Sequence, residues 1–143
     1  MSDHDIHALV QRWISPAPDG KAVFNIHPDA AEMLTEDAVW QMPPSNPLGA
    51  VRGRDAIMKI QTLAKSVYQW DTIKLRPIRV IVEGDQAVAF YEITCRQVID
   101  DEPYACQYAH FLTFRDGKIC EIVDLFDSLS WFRQSGHKLE SVS

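Results

Sequence analysis

The stretch from Trp70 to Asp127 constrains this chain more than any other. It carries four strand-like segments: Trp70 to Glu83, Gln86 to Ile99, Tyr104 to Arg115, and Lys118 to Asp127. Only short turn signals separate them, namely Gly84-Asp85, Asp100-Asp101-Glu102-Pro103 and Asp116-Gly117. Parallel strands need a long crossover, whereas connectors this short join antiparallel neighbours. Asp-Gly in particular is a hairpin signal, because the tight turn between twisted strands asks for positive φ.

The residues before Trp70 read mainly as helices. Ile6, Leu9, Val10 and Trp13 fall at helical spacing within Asp5 to Ile14, with Asp3 or Asp5 as a cap. Ser15-Pro-Ala-Pro-Asp-Gly breaks that helix. A second short helix is expected from Pro28 to Leu34, ended by Thr35-Glu36-Asp37, and a strand over Ala38 to Met42. Pro43 stops the strand. A third helix from Arg54 to about Lys65 places Ala56, Ile57, Ile60, Leu63 and Ala64 on one face. After Asp127 the pattern predicts a last short helix, capped by Ser128 and ended by Gly136. Trp131 and Phe132 would face inward, and 137–143 would form a polar tail. Three helices followed by an antiparallel meander make an α+β fold in one domain. A strongly curved antiparallel sheet wrapped around the helices would form a cone with an internal pocket.

Composition narrows the partners. The 143 residues are 46% hydrophobic and 24% charged, as in a single soluble domain. A net charge of −6 supplies no basic face for nucleic acid. No apolar run approaches the roughly 18 residues of a membrane span. The polar start, Met1-Ser-Asp-His-Asp-Ile-His, does not read as a secretory signal. Cys95, Cys106 and Cys120 are scattered, without a Cys-x-x-Cys spacing, and read as buried thiols of a cytoplasmic protein. The five histidines lack metal-site spacing, so no metal is expected.

Three strings then point to a family. They are Leu34-Thr-Glu-Asp-Ala-Val-Trp-Gln-Met-Pro, Val51-Arg-Gly-Arg-Asp-Ala-Ile, and Phe114-Arg-Asp-Gly-Lys-Ile-Cys-Glu-Ile-Val-Asp-Leu-Phe-Asp. In this order the chain resembles the nuclear transport factor 2-like superfamily, and within it the SnoaL-like (polyketide cyclase-like) branch, over roughly residues 5 to 136. The resemblance implies a small hydrophobic, ketone-bearing or polycyclic ligand inside the cone, handled by carboxylates and hydrogen-bond donors without a cofactor. A carboxyl group among apolar neighbours can be tuned to work as acid or base.

The resemblance offers two carboxylates. Asp127-Ser-Leu-Ser-Trp-Phe-Arg-Gln-Ser-Gly is similar to the cyclase pattern of an Asp before a helix ending in Gln-x-Gly, which makes Asp127 the acid/base candidate. The same strand is also similar to that of limonene epoxide hydrolase, which singles out Asp124. Asp127 has a competing role as a helix cap. A bulge or the strand end would be needed to bring both to the mouth. Against the ketosteroid isomerases, His110 falls at the acid that donates to the oxyanion; the alternative is a histidine satisfied by a neighbouring Tyr or Asp. Met42 stands where those isomerases carry their base, and the Arg-x-Asp of the epoxide hydrolases is missing from Ala89-Phe-Tyr-Glu-Ile-Thr-Cys. Both activities are therefore disfavoured.

Alternation places Tyr108, His110 and Leu112 on one face of their strand and Tyr91 on the pocket face of the next. Trp40, Met42, Tyr91, Tyr108, Leu112, Phe126 and Trp131 are the expected ligand-contacting residues. Trp13, Phe24 and Phe132 would line or seal the cone, and Glu92 and Arg96 would pair on its convex side. Three functions fit: an acid–base isomerase, cyclase or lyase; a non-catalytic small-molecule carrier; and a dimerisation module using Phe90 and Phe111. A homodimer through the outer sheet face is compatible with all three.

Overall fold

A computed structural model describes residues 1–15 and 30–142. Phe24, His27 and the expected helix start at Pro28 lie outside the described residues. Helix α1 spans Asp3–Trp13 and buries Ile6, Val10 and Trp13. Its cap is Ser2, not Asp3 or Asp5. The Ser2 hydroxyl accepts from Asp5 N–H, and the Asp5 carboxylate accepts from Ser2 N–H, a reciprocal capping box.

A short helix α2 (Ala30–Met33) leads directly into strand β1 (Leu34–Gln41). Thr35, Glu36 and Asp37 therefore begin a strand rather than end a helix, because Leu34 already pairs with Ile119 of the last strand. Strand β2 (Ala50–Arg52) and helix α3 (Arg54–Ala64) follow. Leu63, expected on the inward face of α3, is largely exposed. Trp70–Thr72 is a 3-10 turn rather than strand, closed by Thr72 N–H and Ile73 N–H donating to Gln69 and Trp70 carbonyls.

The meander consists of β3 (Lys74–Glu83), β4 (Gln86–Arg96), β5 (Pro103–Arg115) and β6 (Lys118–Phe126). At the last hairpin Asp116 and Gly117 take φ of 54° and 77°, the tight turn that Asp-Gly signals. The six strands form one curved, unclosed sheet in the order β2-β1-β6-β5-β4-β3. The β1–β6 pairing is parallel; every other pairing is antiparallel. Alternate residues of β4 and β5, among them Tyr91, Ile93, Tyr108 and Leu112, turn inward to the core. Helix α1 packs on β3 and β4, and α3 packs on β1 and β2.

The expected Glu92–Arg96 pair does not form. Glu92 pairs with Arg76 on β3, and Arg96 pairs with Asp101 in the following loop, each nearer across the backbone than along one strand.

The C-terminal segment departs most from expectation. Helix α4 (Ser128–Trp131) is capped by Asp127, whose carboxylate accepts from Ser130 N–H at 3.0 Å; Ser128 is already inside the helix. Gly136 does not end it. A π-helical turn over Phe132–Gly136 passes into helix α5 (His137–Val142). Glycine is needed there for closeness: a Cβ would lie 2.6 Å from a ring carbon of Trp131. Phe132 is on the outside, next to His137, rather than inward. Gln134 ties this segment to the sheet, donating to and accepting from the Ala105 backbone. Lys138 pairs with Asp100 at 2.7 Å.

Candidate active site

A cavity of about 250 Å³ opens between the sheet and α3. Trp40 of β1, Tyr108 of β5, and Asp124 and Phe126 of β6 form its sheet wall. Ile60, Gln61 and Ala64 of α3 face them, and Met42, Trp131 and Leu139 close the sides. Apolar groups dominate the lining. The exceptions include Asp124, Gln61 and Tyr108.

One extra residue decides that Asp124 faces this space. The last hairpin begins with Arg115 opposite Lys118. Counted outward from that pair, His110 would meet Val123. A bulge between Thr113 and Phe114 places two residues of β6 against one of β5, and Cys120 is the residue left over. Beyond it Thr113 opposes Glu121 and His110 opposes Asp124. A slip of one residue exchanges the faces of a strand. The bulge therefore turns Ile122 and Asp124 inward and leaves Glu121 and Leu125 outside.

The Asp124 carboxyl group, 5% exposed, is held from one side. Trp40 Nε1–H donates to Oδ2 at 3.1 Å. Oδ1 lies 3.3 Å from His110 Nε2 but is not aligned for a hydrogen bond with it or with any described group. His110 is itself 1% exposed and fixed at both ring nitrogens. Trp13 Nε1–H donates to Nδ1 at 3.2 Å. Indole is a donor only, so Nδ1 is the accepting nitrogen and Nε2 carries the proton. That N–H meets the Tyr91 hydroxyl at 3.0 Å, with Asp124 beside it.

A second polar group borders the cavity through Tyr68, Tyr108 and Trp131. Tyr104 and Tyr108 hydroxyls are 2.5 Å apart, and Trp131 Nε1–H donates to the Tyr68 hydroxyl at 3.0 Å. Burial pushes all three phenols, Tyr68, Tyr104 and Tyr108, above the ordinary tyrosine range. They stay neutral and act as donors at physiological pH. Burial also raises the Cys95 thiol to about 12. Cys106 and Cys120 move the same way, so none of the three is activated as a nucleophile.

The family model described as the SnoaL-like domain matches residues 10–122, most of the chain. The chain belongs to the SnoaL-like domain family. Solved structures share the fold of this SnoaL-like domain at low identity. A protein from Jannaschia sp. CCS1, described as a SnoaL-like polyketide cyclase, superposes with a TM-score of 0.72 at 16% identity, over 89% of this chain and 88% of that one. TerC, crystallised with polyporic acid, gives 0.70 at 19% identity over 92% and 97%. An NTF2-like protein from Burkholderia pseudomallei gives 0.69 at 17% identity over 93% and 97%. No curated protein sequence matches the chain significantly.

Within this SnoaL-like domain the expected site residues separate into three groups. Trp40, Met42, Tyr108, Asp124, Phe126 and Trp131 line the cavity. His110 and Tyr91 sit behind that lining and reach it through Asp124 and Trp40. Leu112 is buried elsewhere in the core, not at the cavity, and Asp127 is exposed at the start of α4. Asp127 therefore serves as a cap and is not a cavity carboxylate. Gln61 was not anticipated. Its signal was a polar residue four positions after Ile57, on the apolar side of α3.

Proposed function

We propose that this SnoaL-like domain is a cofactor-independent acid–base enzyme of the isomerase, cyclase or lyase type. Its substrate is a small hydrophobic molecule carrying a ketone or a polycyclic skeleton. The observation that carries this reading is Asp124: a buried carboxyl group on an apolar cavity wall, anchored through Oδ2, with Oδ1 beside His110 but without an aligned hydrogen bond. In the reaction Oδ1 takes a proton from the carbon beside the substrate carbonyl and returns it to the product. The electron pair left on carbon is held as an enolate, whose oxygen accepts from the neutral Tyr108 hydroxyl. No electrons are gained or lost overall. His110 is a positioning residue, since it touches Asp124 and does not line the cavity.

The test is solvent deuterium exchange. Aryl ketones with exchangeable protons beside the carbonyl are incubated in heavy water with the protein and followed by proton NMR. Wild type accelerates exchange of at least one ketone. Asp124→Asn loses about 10²–10⁴-fold of that rate, the range expected for a general base, and Asp127→Asn keeps it. Binding without exchange, or full exchange by Asp124→Asn, overturns the proposal. Binding without exchange would point to the carrier reading, which the mostly apolar lining also supports. The exposed apolar residues Ile81, Phe111 and Leu125 on the outer sheet face support pairing of two copies in either case.

A further inference from the structure

Gln61 occupies a place that packing alone would give to an apolar residue. It follows fully buried Ile57 by one helical turn and is only 3% exposed. Neither Nε2 nor Oε1 has a hydrogen-bond partner among the described residues. Five buried side-chain polar atoms there lack a partner. Three of them belong to Gln61 and Asp124, which line the same cavity from the helix side and the sheet side. Leaving both ends of a buried primary amide without a protein partner is unfavourable. Such groups persist where a ligand supplies the missing bonds.

We infer that Gln61 anchors the cavity's ligand, its amide edge pairing with a neutral ligand edge that carries an acceptor and a donor side by side. Nε2–H donates to the acceptor, and Oε1 accepts from the donor. A lactam or a cis amide on an apolar ring presents such an edge. A carboxylate does not, because its second oxygen would face Oε1, and the molecule would bring a negative charge toward Asp124. Gln61 thereby orients the ring, while Asp124 meets the ligand from the opposite wall. The inference rests on the proposed function in taking this cavity as the ligand site, but it concerns recognition and not proton transfer.

The experiment compares wild type with Gln61→Met, which conserves volume and removes the amide. Two probes are titrated calorimetrically: 2-quinolinone, a lactam, and N-methyl-2-quinolinone, which keeps the ring and carbonyl but lacks the donor. Wild type is expected to prefer the lactam at least tenfold, and Gln61→Met to bind both equally. Thermal unfolding gives the second readout. Removing an unpaired buried amide should raise the melting temperature of Gln61→Met, whereas loss of a structural residue would lower it. An unchanged lactam preference in Gln61→Met, a lowered melting temperature, or no binding of either probe to wild type overturns the inference. Deuterium exchange separates the two proposals. If acid–base chemistry is wrong, exchange is absent while the lactam preference stands. If the Gln61 assignment is wrong, exchange persists without the preference.

Discussion

The Trp13 indole donates to Nδ1 of His110 across 3.2 Å and thereby determines which ring nitrogen carries the proton. With Nδ1 occupied as an acceptor, the N–H edge at Nε2 faces Tyr91 and Asp124. Helix α1 thus reaches through the core to set the polarity of a residue on β5. Trp13→Phe keeps the ring and removes the donor. Nitrogen-15 shifts of His110 should report a single Nε2–H tautomer in wild type and a mixture in Trp13→Phe. A single tautomer in both would remove Trp13 from this role.

Trp40→Phe tests the other anchor. It keeps an aromatic ring near His110 but leaves Asp124 Oδ2 without its donor. A buried polar atom stripped of its partner destabilises by about 1–3 kcal/mol, read from chemical denaturation. Exchange activity should fall as well, through kcat more than KM, because the carboxyl group loses its orientation. Asp127→Asn serves as the comparison, since it alters only an exposed cap.

The buried phenols set an alkaline limit. An unfolded tyrosine ionises near pH 10, whereas Tyr68, Tyr104 and Tyr108 hold their protons to higher pH in the fold. Above about pH 10 the native state therefore binds more protons than the unfolded state, and stability falls as pH rises. Below pH 10 both states are protonated and these groups contribute no pH dependence. Phenolate absorbance should appear together with loss of near-ultraviolet circular dichroism. Full phenolate absorbance from an intact fold near pH 10 would contradict this.

Gly136→Ala introduces a methyl group where Trp131 ring carbons lie at 2.6 and 3.1 Å and a Phe132 ring carbon at 2.9 Å. Overpacking of this kind destabilises by about 1–3 kcal/mol. Because Trp131 is part of the cavity wall, the variant should also bind probe ligands more weakly. Unchanged melting and unchanged binding together would show that the ring moves aside freely.

Much of the fold can be read from local pattern. The Asp116-Gly117 turn, the alternation of Tyr104 to Phe114 and the spacing of Ile6, Val10 and Trp13 are nearest-neighbour signals, and the structure follows them. Trp40 and Tyr108 could be placed near a pocket for the same reason, whereas Asp124 is pointed to by the resemblance alone and owes its inward face to the bulge at Cys120. Three features could not. The parallel β1–β6 pairing joins distant segments, and no turn announces it. Asp127 offers one residue type that suits both a cap and a catalytic carboxylate, and only its position beyond the last strand decides between them. Gln61 is visible as an irregularity in α3, but its meaning depends on the wall across from it.

The bulge at Cys120 has a consequence for descent. Were the same sequence to pair without that bulge, the simple register of the hairpin would present Val123 to the cavity and Asp124 to the outer face. The chain would lose its cavity carboxylate without a substitution at any residue lining the cavity. A shift of one residue in this hairpin's register is therefore a route by which relatives with the same scaffold can gain or lose a carboxylate facing the cavity. Acidic residues of such relatives are best matched by the sheet face they occupy rather than by their column in an alignment.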